Sequence, residues 1–276
     1  MIHIQNSDIT DIINKYINGS SVLSLSHEYN CSAQAIQYHL DKNNIAKITQ
    51  AKRINPGFIE DYFKIIDSKE KAYWIGWILT DGCVAAKDKS LQISLQQNDK
   101  YILELLEKDL GLFDHVKVFN HDYYKFYACS VKMYNDLFQY GIVPNKTLIL
   151  KFPNNIPEKY ETHLLRGMFE GDGGITVGEA TRFYKHRNKT YTKPYRELSF
   201  TGTYDMCNGF QETLLKHTKN VAKKNITHNH QIYRIRWHSI EDIAEIYNVL
   251  YKDCDDHCLI RKKEKFQKIF ETNNNN

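Results

Sequence analysis

The stretch Leu164-Leu-Arg-Gly-Met-Phe-Glu-Gly-Asp172-Gly173 echoes Tyr73-Trp-Ile-Gly-Trp-Ile-Leu-Thr-Asp81-Gly82, 91 residues earlier. Both reduce to Gly-x4-Asp-Gly at the end of an apolar run that reads as a helix. Glycine inside a helix costs about 0.5–1 kcal/mol relative to alanine. Gly76 and Gly167 are explained most simply by a close helix–helix approach, so they are the expected interface residues. Gly82 and Gly173 end each helix. Asp81 and Asp172 then stand in the last turn, facing the negative end of the helix dipole. If the copies pack side by side, both carboxylates emerge at one end of the seam. There they repel unless a divalent cation lies between them. Mg²⁺, which takes one or two carboxylates with water and phosphate oxygens, suits such a place.

The echo extends outward from the motifs. After the first come an alternating strand (Leu91–Leu95), an amphipathic helix near 99–110, an aromatic strand (Tyr123–Cys129) and a helix near 132–140. After the second come Leu198–Phe200, a helix near 205–217, the strand Tyr233–Trp237 and a helix near 240–250. The predicted order in each half is α-β-β-α-β-β-α, an α+β fold of two pseudo-symmetric repeats. Matching Ile93 with Leu198 leaves about a dozen extra residues in the second half, just after its motif. That segment, 182–196, holds six Lys/Arg (Arg182, Lys185, Arg187, Lys189, Lys193, Arg196), four aromatics and no acid. It reads as a hairpin finger that tracks phosphates.

The strands have two unlike faces. Leu91, Ile93 and Leu95 oppose Gln92, Ser94 and Gln96, and Tyr233, Ile235 and Trp237 oppose Arg234, Arg236 and His238. Helices on the apolar side leave a Gln/Ser/Arg face, joined by Lys125, whose amides and guanidiniums can read base edges in a major groove.

Residues 1–50 read as three short helices, with a turn at Asn30-Cys31 and Ser32 placed to cap the third. The pattern resembles a helix-turn-helix, whose third helix would present Gln34, Gln37, Tyr38 and His39 to DNA. A three-helix accessory bundle is the plainer alternative, since residues 1–50 hold three Lys and four acids. Residues 51–68, with Lys52, Arg53 and Asn55-Pro56-Gly57, read as a linker. The repeats are placed at 69–155 and 156–270, and 271–276, ending in four asparagines, as a disordered tail.

The chain has 276 residues, 42% hydrophobic and 25% charged, an ordinary globular mix. A net charge of +4 is too mild to name a partner by itself. The six cysteines are scattered. Cys254-x3-Cys258, with His257 between, lacks two further ligands at workable spacing for zinc. No apolar run approaches the roughly 18–20 residues of a membrane span, and the start lacks a secretory pattern. A cytoplasmic protein with reduced thiols is expected.

Trp74–Gly82 and Leu165–Gly173 resemble the signature helices of LAGLIDADG homing endonucleases in their single-chain, two-repeat form. The resemblance covers about residues 60–270, and Gly141–Thr147 and Leu259–Phe266 are similar to segments of that family. The first copy departs more, with Trp, Leu and Thr at commoner small or acidic places. The resemblance implies two αββαββα units joined through the motif helices, their sheets forming a saddle over double-stranded DNA. It implies a monomer that is a pseudo-dimer within one chain. Two or three Mg²⁺ ions would be held by Asp81 and Asp172 with Gly82 and Gly173. Lys146 would be the basic residue of the first centre and Lys262, or its neighbour Arg261, that of the second. Gln96 or Gln97 would position water. The implied activity is hydrolysis of one phosphodiester per strand across the minor groove, leaving short 3′ overhangs. A non-cleaving transcription regulator of the same fold and an RNA maturase remain alternatives, and both retained aspartates favour cleavage. Glu170 lies two residues before Asp172 and so points to another helix face.

Overall fold

The computed structural model of the chain describes residues 6–48 and 55–274. Lys52 and Arg53 of the expected linker, and Asn275 and Asn276, lie outside the described residues. Three helices come first: α1 (Asn6–Ile17), α2 (Val22–Glu28) and α3 (Ala33–Lys42). Ser21 caps α2 by accepting from the Ser24 N–H, and Ser32 caps α3 by accepting from the Ala35 N–H. Ile12, Tyr16, Leu25, Ile36 and Leu40 close a small core of their own.

The rest is one larger core shared by two copies of the same order. The first runs α4 (Lys69–Thr80), β1 (Gly82–Ala85), β2 (Ser90–Gln96), α5 (Lys100–Asp109), β3 (Val116–Asn120), β4 (Tyr123–Cys129) and α6 (Val131–Phe138). The second runs α7 (Glu161–Asp172), β5 (Gly173–Tyr184), β6 (Lys189–Gly202), α8 (Tyr204–Lys216), β7 (Thr227–Asn229), β8 (Ile232–Trp237) and α9 (Ile240–Tyr251). α10 (Ile260–Asn274) follows. Each copy holds a four-stranded antiparallel sheet, ordered β1-β2-β4-β3 and β5-β6-β8-β7. This is the αββαββα unit, twice.

Two expected boundaries move. Residues 55–68 are not a solvated linker: Phe58, Tyr62, Phe63 and Ile66 are buried in the main core, and the Ile59 N–H donates to Leu110 at 2.9 Å. The Asn-Pro-Gly punctuation marks a turn that lays this segment against the first repeat. At the other end α10 continues to Asn274, so 271–274 extend a helix rather than begin a tail. Among the described residues, no helix is long and apolar enough to cross a membrane.

The seam between copies is made by α4 and α7, both enclosed over most of their length; α4 is apolar nearly all round there, whereas α7 also buries His163, Arg166 and Glu170. Every residue of α4 from Ala72 to Leu79 is buried, as is every residue of α7 from His163 to Glu170. The glycines let the backbones meet. A Cβ on Gly76 would fall on the Leu164 carbonyl oxygen and 2.7 Å from the Met168 nitrogen, and one on Gly167 would fall on the Tyr73 carbonyl oxygen.

The two motif hairpins differ in length. Gly82 pairs with Ile93, 11 residues on, and Gly173 pairs with Phe200, 27 residues on. Ile93 is therefore the counterpart of Phe200, not of Leu198, and the second hairpin is longer by 16 residues. The expected insertion just after the second motif is the distal part of β5 and β6.

Candidate nuclease site and nucleic-acid face

Asp81 and Asp172 close the two seam helices, and the strands β1 and β5 leave directly from them. Asp81 is the C-cap residue of α4 and Asp172 the last residue of α7. A Cβ on Gly171 would stand 3.3 Å from the Asp81 Oδ2, so the first carboxylate lies against the end of the second helix. Both aspartates reach solvent, yet protein atoms crowd around each carboxylate. Desolvation there raises the pKa of each. For Asp172 the charge of Asp81 adds to it, and the pKa is pushed up to about 6 against the partial relief of Lys262 and Lys146. Asp81 is also raised by desolvation, less the effects of Lys262, Lys146 and Arg261.

Two buried lysines flank the pair. Lys146 Nζ donates to the Gly82 carbonyl at 2.5 Å. Lys262 Nζ donates to the carbonyls of Gly173 at 2.5 Å, Phe169 at 2.8 Å and Gly171 at 3.3 Å. Each lysine is 6% exposed, so its ammonium is held by protein oxygen rather than bulk water. Burial lowers the pKa of both, that of Lys262 to about 8, where nearby Arg261 lowers it further and Glu170, Asp81 and Asp172 pull the other way. Arg261 takes a different place: its Nε donates to the buried Asp99 at 2.9 and 3.1 Å. Of the two candidates, Lys262 is therefore the one at the end of the second motif helix, and its charge acts on Asp81 as well as Asp172. A cavity of about 150 Å³ opens beside Asp172, lined by Thr80, Lys146, Thr201 and Thr203 among others.

The donor set fits a hard divalent cation. Among the described residues no group of three or more His, Cys, Asp and Glu forms a metal cage. Mg²⁺ needs none when one or two carboxylates are completed by water and phosphate. The Gly82 and Gly173 carbonyls each accept a lysine ammonium, and a carbonyl oxygen keeps a second lone pair.

The sheet faces part as the alternation requires. Leu91, Ile93, Leu95 and Phe126 are buried, while Gln92, Ser94 and Gln96 oppose Tyr127, Lys125 and Tyr123 on the outer side. There Lys125 lies 3.3 Å from the Gln92 Oε1 and 4.0 Å from the centre of the Phe119 ring. Gln97 donates its backbone N–H to Asp122. On the second sheet Arg234 and Arg236 pair with Thr201 and Ser199. Arg234 donates to the Thr201 hydroxyl at 3.2 Å, and Arg236 lies 3.6 Å from Glu197. Glu197, hydrogen-bonded by Tyr195 at 2.7 Å, is an acid on this face that the pattern of basic residues did not single out.

The long hairpin continues that face. Cross-strand pairs Arg182–Tyr191, Ala180–Lys193 and Tyr184–Lys189 share the side of Ser199 and Arg236, and Lys185 and Arg187 form the exposed tip. Tyr184 and Tyr191 meet edge to face at 5.4 Å, with the Arg182 guanidinium 5.3 Å from the Tyr184 ring. Arg196 departs from the expected set. It pairs with Val177, one residue out of phase, so it points to the opposite side and donates to the His238 carbonyl at 3.3 Å. On α3, Gln34 and Tyr38 are exposed, but the Gln37 amide is engaged by Asp41 at 2.8 Å and His39 is half-buried. Glu170 is fully enclosed on another face of α7, as its spacing from Asp172 requires.

No family model matches the sequence, and no curated protein matches it. Solved structures with the same architecture do. The chain is similar to the LAGLIDADG meganuclease I-AabMI bound to uncleaved DNA, at 14% identity and a TM-score of 0.51, over 72% of this chain and 88% of that one. It is similar to the meganuclease I-SmaMI bound to an uncleavable DNA, at 11% identity and 0.52, over 74% and 90%. The I-LtrWI LAGLIDADG homing endonuclease bound to its target DNA gives 12% identity and 0.50, over 78% and 92%. The chain thus has the LAGLIDADG homing-endonuclease fold, with both repeats in one polypeptide.

Proposed function

We propose that the chain is a sequence-specific, Mg²⁺-dependent endonuclease of the homing type that cuts both strands of a DNA duplex across the minor groove, leaving short 3′ overhangs. The observation that carries this reading is the pair Asp81 and Asp172, raised in pKa and set at one end of the helix seam between two polar sheet faces. Asp81 and Asp172, with the Gly82 and Gly173 carbonyls alongside, would hold the divalent cations. When bound, such cations stabilise charge on the phosphate and leaving oxygen and make water a usable nucleophile near neutral pH.

The chain's own residues supply the remainder. Lys146 and Lys262 tie down the backbone just beyond each carboxylate and so fix its direction, and their charge offsets that of an approaching phosphate. Gln92, Ser94, Gln96, Lys125, Arg234 and Arg236 face the base edges, where amides suit adenine and guanidiniums guanine. Glu197 sets the direction of the Arg236 fork. Arg182, Lys185, Arg187, Lys189 and Lys193 follow the phosphates. The three amino-terminal helices extend the footprint as a helix-turn-helix, with Gln34 and Tyr38 the outermost groups of α3. The protein acts as a monomer, because the second copy of the site is already in the chain.

Cleavage selection on a random duplex library with Mg²⁺ yields a target, and Asp81→Asn and Asp172→Asn are then measured on it. Each is expected to abolish double-strand cutting while target affinity stays within about threefold. Undiminished cutting by either variant rejects the assignment.

A further inference from the structure

The two seam helices differ in buried charge. Arg166 and Glu170 stand one turn apart on α7, 2% and 1% exposed. Their counterparts 91 residues earlier on α4 are Ile75 and Leu79, plain buried hydrocarbon. On α7 the two charges grip the segment that joins α9 to α10. Arg166 donates through Nε to the His257 carbonyl at 3.0 Å and through Nη1 to the Leu250 carbonyl at 3.3 Å. Glu170 accepts from the Leu259 backbone N–H at 2.8 Å and from the Tyr73 hydroxyl of α4 at 2.6 Å. Leu259 is the residue before α10, so the carboxylate faces the positive end of that helix. Three residues on, α10 delivers the Lys262 amine to the end of α7. Lys146 is placed otherwise. It opens a short 3-10 turn, Lys146–Leu148, after a left-handed Asn145 (φ 57°), and its seam neighbour Leu79 offers packing only.

We propose that Glu170, with Arg166, is a positioning residue for Lys262 and not for Lys146: it fixes the start of α10 and thereby where the Lys262 amine stands at the end of α7. Lys146, at the end of α4, is seated without it. The consequence for cutting rests on the nuclease reading; the seating of Lys262 does not.

The test is Glu170→Leu, which gives α7 the residue α4 already has. Removing one member of a buried charged pair costs stability, whereas replacing both by hydrocarbon is commonly tolerated, so the double variant Glu170→Leu/Arg166→Met is made beside the single ones. Glu170→Gln, which keeps an acceptor, is the conservative control, and Arg166→Met is the second variant. The free full-length chain is treated with an N-hydroxysuccinimide acetate, and acetylation at Lys262 and Lys146 is followed by mass spectrometry in variants whose circular dichroism matches the parent. Lys262 should react at least tenfold faster in Glu170→Leu and at least threefold faster in Arg166→Met. Lys146 should stay within twofold, and Glu170→Gln should stay near the parent. On a supercoiled plasmid carrying the selected duplex, Glu170→Leu should accumulate nicked circles cut on one strand, the other strand at least tenfold slower, with Glu170→Gln restoring both. An unchanged Lys262 rate, an equal rise at both lysines, or equal slowing of both strands overturns the proposal. A parent chain that cuts no duplex would defeat the nuclease reading, and the acetylation would still decide the positioning.

Discussion

Lys262 Nζ stands 2.5 Å from the Gly173 carbonyl oxygen, the same separation that Lys146 Nζ keeps from that of Gly82. The two lysines come from unlike places, an amino-terminal helical turn and a short 3-10 turn, yet meet equivalent atoms of the two copies. Equivalence of the centres is therefore set by where each motif helix ends, and each repeat brings its amine there by its own route.

The lysines only partly offset the charge of Asp172, whose pKa is pushed up to about 6 by desolvation and by Asp81. A carboxylate with a folded pKa above its unfolded value near 3.8 binds its proton more tightly in the fold. Stability falls as pH rises from about 4 to about 6 and stays lower beyond. Without divalent cations, Asp172→Asn should be more stable than the parent at pH 7, by about 1 kcal/mol after solvent screening of an exposed group. At pH 3.5 the advantage should vanish. Urea melts in EDTA at the two pH values check this, and a variant no more stable at pH 7 contradicts it.

The seam predicts unequal glycines. Gly76→Ala and Gly167→Ala drive a methyl into the backbone of the facing helix, which no rotamer change can relieve. Each should cost about 3 kcal/mol or more, the upper range for overpacking. Gly178→Ala meets nothing within 4 Å and should stay within about 0.5 kcal/mol. Denaturant midpoints compare the three.

The hairpin predicts a salt effect. Arg182, Lys189 and Lys193 share the face of Arg236, whereas Thr181 and Thr192 lie on the other side. Replacing the three basic residues with alanine should reduce the slope of log affinity against log salt by about 3, roughly 0.9 for each phosphate left without its cation. Thr181→Ala with Thr192→Ala should leave it unchanged. Titrations of the selected duplex from 50 to 300 mM salt, on the order of the range where counterion release dominates, distinguish them.

The amino-terminal helices have a core separate from the main one. Removing residues 1–48 should weaken binding of the selected duplex about tenfold and leave single-turnover cutting at saturating protein within about threefold, as expected for a second binding module. Loss of all cutting would instead make these helices part of the active assembly.

The repeat, its element order and the seam glycines were legible because each rests on local spacing: helix ends, alternation and a motif seen twice. The choice between Arg261 and Lys262 was not. It turns on the path of 252–259, which is held by Arg166 and Glu170 from a distant helix, and no periodicity encodes that. Arg196 was grouped with its neighbours by charge, while one residue of strand phase sends it to the other side. Residues 55–68 read as a linker because Asn55-Pro56-Gly57 opens them, and that turn signal outweighs the apolar spacing of Ile59, Tyr62, Phe63 and Ile66 that follows it. Glu197 carries no motif and becomes visible only when the strand register sets Arg236 opposite Ser199, two residues along from it.

The unequal hairpins make the two arms of the molecule distinguishable. A body with a short arm on one flank and a long, cationic arm on the other has a preferred heading along a duplex. A site with mirror-related halves would leave that preference unused, so the ground this protein fits best is lopsided, with more contacts on the side where β5 and β6 reach out.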